Sequence, residues 1–93
     1  MTFSFDKKDW IKALNSIPLN RPSGGVLKKE AMSKPGNCVK SKECEPNGMP
    51  KYFGRIANFN DNEVIIISHN DKIFDDFVWR GTQSEYFDSW DCD

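Results

Sequence analysis

The side chains best suited to chemistry are the three cysteines, Cys38, Cys44 and Cys92, and the single histidine, His69. Together they make the donor set of a Cys3His zinc site, since thiolate sulfur and imidazole nitrogen are the ligands zinc takes in structural sites. The spacing argues against it. Five residues stand between Cys38 and Cys44, more than the pairs of a zinc knuckle usually allow, and Cys92 and His69 fall in distant elements. The expectation is semi-buried thiols, with no metal and no cofactor. A Cys38–Cys44 disulfide fits across a hairpin. However, an odd cysteine count, and a start from Met1 to Trp10 without the basic-then-apolar order of an export signal, point to a reducing, cytoplasmic setting.

Other candidates for catalysis or anion binding are weaker. His69 sits at a strand end near Asp71, with no Ser or Cys nucleophile in its own element, and reads as a hydrogen-bonded turn residue. Ser23-Gly24-Gly25-Val26-Leu27-Lys28-Lys29 brings glycines and lysines to a helix start, but lacks both the glycine spacing and the Lys-Ser/Thr ending of a phosphate loop. The carboxylates of Asp75, Asp76, Glu85 and Asp88 do not follow cation-loop spacing. The chain does not read as an enzyme.

What the sequence offers instead is polarised charge. The formal net charge is −1, yet residues 1–20, 21–55 and 56–93 carry +1, +5 and −7. Such asymmetry suits either self-complementary packing or two differently charged binding faces. The acidic end, with Asp75, Asp76, Glu85, Asp88 and Asp91, is the expected contact surface for a protein or nucleoprotein partner. Acids at a helix C-terminus oppose the helix dipole, so stability alone would not place Asp91 and Asp93 there. The alternative is nucleic-acid binding by Lys28, Lys29, Lys34, Lys40, Lys42, Lys51 and Arg55, with Tyr52 and Phe53 available for base stacking. Against it, Tyr52 and Phe53 alternate to opposite faces of one strand.

These groups need a scaffold. At 93 residues the chain is expected to be a single domain over residues 1–93, small enough to bury only about 60% of its unfolded surface. Seven Phe, three Trp and two Tyr supply a large buried area per side chain. No apolar run is long enough to span a membrane. Val64-Ile65-Ile66-Ile67 is the one continuous β-branched run, set between Asn/Asp turns, and reads as a central strand buried on both faces. Residues 52–59, 63–69 and 72–80 read as three antiparallel strands. Asp75-Asp76 breaks the third one's pattern and predicts a bulge or an edge there. Phe77 and Trp79 should share a face.

Two helices flank these strands. Asp6 caps a helix over 7–16, with Phe5 and Trp10 at staple positions and Trp10, Ile11, Leu14 and Ile17 as its apolar face. Thr82 and Glu85 form a capping box for a second helix over 83–91, with Tyr86, Phe87 and Trp90 facing inward. Between them, residues 18–50 hold all five prolines and four of the six glycines and read as a long basic loop. Within it 26–32 predicts one or two helical turns, and 37–45 a small hairpin. The fold class is α+β, a three-stranded antiparallel β-meander with an N-terminal and a C-terminal helix and a long central loop.

The tail Trp79-Arg80-Gly81-Thr82-Gln83-Ser84-Glu85-Tyr86 resembles the close of some small phage and prophage proteins. Size and polarised charge are similar to those of phage-encoded inhibitors of bacterial defence, the anti-CRISPR genre. That resemblance implies a small cytoplasmic inhibitor that binds a larger complex, and carries no binding residues over.

Overall fold

The computed structural model describes residues 2–17, 28–68 and 76–92. Its elements in chain order are β1 (Thr2–Ser4), α1 (Lys7–Asn15), α2 (Lys28–Ala31), β2 (Cys38–Ser41), β3 (Phe53–Phe59), β4 (Val64–Ser68), β5 (Val78–Gly81), α3 (Gln83–Ser89) and β6 (Trp90–Cys92). All six strands join one antiparallel sheet in the order β1-β5-β4-β3-β2-β6. The expected three-stranded meander is therefore wrong. The three strands foreseen are the inner part of a sheet twice as wide, completed by short strands from both ends of the chain and from the supposed loop.

β4 is central because the apolar run Val64–Ile67 serves both faces of the sheet. Val64 and Ile66 enter one core, and Ile67, with Ile65 packed beside it, enters the other. Alternation along the strand thus feeds two layers at once. On the first face lie Met32, Val39, Ile56, Phe77, Trp79, Tyr86 and Trp90. On the second, α1 lays Trp10 and Ala13 over Ala57, Ile67 and Val78. Phe77 and Trp79 do share a face. A bulge falls at Ala57, between the pairs Ile56↔Ile66 and Asn58↔Ile65. The extra residue lets Ile56 face one core and the adjacent Ala57 the other. Asp76 precedes β5, and Asp75 lies outside the described residues.

Both helix starts follow the sequence. Asp6 accepts a hydrogen bond from the Lys8 amide at 2.9 Å, while Thr82 and Glu85 exchange the two bonds of a capping box. The Phe5 ring stacks on Phe3, with centroids 6.2 Å apart, and is 63% exposed, so it does not serve as the staple expected with Trp10. Trp10 instead donates its indole N–H to the Ser68 carbonyl. α1 is further fixed by a bidentate pair, Arg80 to Asp9 at 2.8 and 3.1 Å.

Hydrogen bonding from Arg80 holds the Asp9 carboxyl below its ordinary value. A carboxylate whose folded value is depressed contributes stability above its unfolded value, and the contribution is lost as pH falls through the folded value. Asp9→Asn should therefore lower stability at neutral pH by no more than about 1 kcal/mol, because the pair is partly solvated. The gap from wild type should close in strong acid. Thermal unfolding of both proteins across that range is the check, and a gap independent of pH would show that the pair does not govern it.

The segment after residue 27 is more ordered than a loop. α2 ends near Met32, whose carbonyl accepts the buried Tyr86 hydroxyl at 2.7 Å. Burial pushes the Tyr86 phenol well above its usual value, so it remains a donor. β2 pairs with β3 and with β6, not with itself as the 37–45 hairpin required. A smaller turn lies at Pro46-Asn47-Gly48, closed by the Cys44↔Pro50 bridge, with Gly48 at φ 86°. Residues 18–27 of the expected loop lie outside the described residues.

The second helix ends at Ser89, and Trp90 adopts extended backbone to begin β6, rather than continuing to residue 91. Asp91 is therefore a strand residue opposite Lys40, and the dipole argument made for it does not apply. At this edge the Trp90 amide donates to the Tyr86 carbonyl and the Cys92 amide to the Asp91 carboxylate at 2.9 Å.

Candidate functional site

The sheet scatters the residues singled out by charge. Of the acids, Glu85 is bound into its capping box, Asp76 adjoins Phe77, Asp88 is exposed on α3, and Asp91 lies along β6. Trp90 and Cys92 pack into the first core, so alternation turns Asp91 to the opposite face. The bases divide as well. Lys40 and Arg55 alternate with core-facing Val39 and Ile56 and lie on the α1 side, where Phe53 is the register partner of Lys40. Lys42 and Lys51 meet the opposite side, near Tyr52. Lys34 pairs with Glu30 at 3.4 Å, and Lys28 and Lys29 belong to α2.

The cysteines do not converge. Cys38 and Cys92 turn to opposite faces of the sheet, and Cys44 is exposed near the turn. His69 lies outside the described residues, among which no group of His, Cys, Asp or Glu is placed to hold a metal ion.

What the fold does assemble is an aromatic cleft of about 250 Å³ on the first face. Phe3, Tyr52, Trp79 and Trp90 supply its walls, from four separate parts of the chain. The rings support one another. Phe3 stands 5.3 Å from Tyr52 and 5.6 Å from Phe77, and Trp90 meets Trp79 edge-on at 5.9 Å while stacking on Phe77 at 6.3 Å. At the mouth are Ser41, Lys42, Glu43, Asp88 and Ser89. Ser41 is structural: its hydroxyl donates to the Glu43 carbonyl and accepts from the Tyr52 amide.

The charges at the mouth are unequally committed. Lys42 donates to the Phe87 carbonyl at 2.7 Å, a cation against the last turn of α3, where the dipole is negative and the helix carries no base of its own. Glu43 pairs with Lys51 at 3.6 Å, and the same ammonium lies 5.9 Å from the Tyr52 ring centroid. Asp88 makes no hydrogen bond or ion pair among the described residues. Trp90 is 1% exposed, and its indole N–H is buried without an acceptor among the described residues. A second cavity of about 220 Å³ lies under α1, between Trp10, Leu14, Arg55, Ile67 and Ser68.

Sequence reasoning named Asp88 and Lys42, but with different partners, and did not collect the four aromatic residues. Their only signal in the sequence is that each belongs to an apolar pattern. Comparison with protein-family models, with curated proteins and with solved structures gives no match. No helix among the described residues is long and apolar enough to cross a membrane.

Proposed function

We propose that this is a small non-enzymatic binding protein that attaches to a larger protein or nucleoprotein complex through the face bearing the aromatic cleft and Asp88. The observation that carries this reading is the exposed pair Phe3 and Phe5, 37% and 63% accessible, continuous through Tyr52 with the cleft. Exposed aromatic surface forgoes roughly 25 cal/mol per Å² of burial. Contiguous patches rimmed by polar groups are a mark of interaction sites. The narrower form, an inhibitor of a bacterial defence complex, rests on size, polarised charge and the tail resemblance.

Phe5→Ser is the direct test, since the ring is mostly in water and its loss should leave thermal stability nearly unchanged. Against a partner isolated with the wild-type protein and then purified, the variant should bind at least about tenfold more weakly, as expected for an aromatic anchor worth more than about 1 kcal/mol. Unchanged affinity would remove this face from the interface.

One observation favours a second reading. On the α1 side, Phe53 stands opposite Lys40 and two residues from Arg55, which puts a stacking platform between two cations. Binding to a single-stranded homopolymer that weakens steeply with salt, and is lost in Lys40→Gln/Arg55→Gln but kept in Phe5→Ser, would establish this reading in place of the first.

A further inference from the structure

We infer that the aromatic cleft is a receptor for one positively charged side chain, an arginine or lysine presented by the protein partner. This rests on the reading that the face binds a protein. The volume, about 250 Å³, is below the roughly 300–1,000 Å³ of sites for drug-sized ligands, and suits a single long side chain. Its walls are aromatic, and Phe3 and Tyr52 keep ring surface accessible; the negative quadrupole of a ring face attracts cations. The chain already shows this preference at the rim, where Lys51 rests near Tyr52 and Glu43.

Charge decides between a cation and a neutral planar group. Three ionised side chains line the mouth, and two are committed: Glu43 to the neighbouring Lys51, and Lys42 to the Phe87 carbonyl. The half-charge of the helix C-terminus offsets the field of Lys42. Among the described residues Asp88 is left as the uncommitted charge lining a cleft that Trp79 and Trp90 also line. A guanidinium or ammonium between the rings and Asp88 would gain a cation–π contact and a charge-assisted hydrogen bond together.

The test needs no partner. An N-acetylated, C-amidated Gly-Arg-Gly peptide is titrated into the full chain while the indole N–H resonances of Trp79 and Trp90 are followed, alongside the same peptide with citrulline, which keeps the shape and loses the charge. Saturable shifts of both indoles are expected with arginine. Binding should weaken roughly three- to tenfold with citrulline, and by a similar factor in Asp88→Asn. Asp88 is exposed, so an unchanged amide spectrum elsewhere will confirm that the variant is folded. Equal binding of the two peptides would assign the cleft to neutral planar groups and overturn the inference. No saturable shift, or no effect of Asp88→Asn, would overturn it as well. A failed titration alongside loss of partner binding in Phe5→Ser would remove the cation site and leave the binding face standing.

Discussion

Ile66→Asp should leave no folded protein at room temperature. Ile66 is wholly buried at the centre of the sheet, opposite Ile56 on β3 and Trp79 on β5. Deleting a buried isoleucine side chain costs about 2–5 kcal/mol. The carboxylate adds the further cost of an unpaired charge in an apolar layer. A domain of this length has roughly 5–14 kcal/mol in total, so the two terms together exhaust it. Ile66→Val, which keeps the shape and removes one methyl group's worth of burial, should cost only about 0.5–1.5 kcal/mol and still unfold cooperatively. Near-ultraviolet circular dichroism and thermal melts of the pair are decisive: a cooperative transition in the aspartate variant would mean that β4 is not in the core.

Gly54→Ala is expected to be nearly as disruptive for a single added methyl group. On β3, Gly54 pairs with Ser68, and a β-carbon there would fall on Ile66 Cγ2 and stand 3.0 Å from the Ile67 carbonyl oxygen and 3.5 Å from the Trp90 ring. The first contact involves a stiff β-branched side chain and the second the backbone of the paired strand, so neither yields easily. Overpacking of this kind costs typically about 1–3 kcal/mol, and the backbone clash puts Gly54→Ala at the upper end. Ile66→Ala removes the Cγ2 obstacle. The double variant should therefore be less destabilised than the two single losses added together. Strict additivity in denaturant titrations would show that the methyl group finds room elsewhere.

How much of this was visible in the residues depends on whether a signal is local. The caps at Asp6 and Thr82 were legible because the capping bonds span only two or three residues. β4 was legible because a β-branched run between turns has few other uses. β2 and β6 are four and three residues long, too short for alternation to stand out, and they become strands only because a neighbour offers its backbone. Trp90 shows the ambiguity best. Tyr86, Phe87 and Trp90 fit helical steps, yet the chain leaves the helix at Trp90 and still buries the same ring, now from a strand. The cleft was not legible for the same reason. Phe3, Tyr52, Trp79 and Trp90 meet only when all five strand pairings are in place. The acidic set, chosen by sign alone, is divided by the pleat, which sends Asp91 to the opposite face from the cleft.

The two edges of the sheet are not equivalent. A strand joining at β6 would find acceptors only, because the amides of Trp90 and Cys92 are already spent on Tyr86 and on Asp91. A ladder draws donors from both sides, so that border is blunted against growth. Among the described residues, the β6 border is therefore the poorer of the two for pairing with another copy of this chain. Pairing that used the β1 border alone would close on itself as a two-fold pair, whereas pairing at both borders would stack open-endedly.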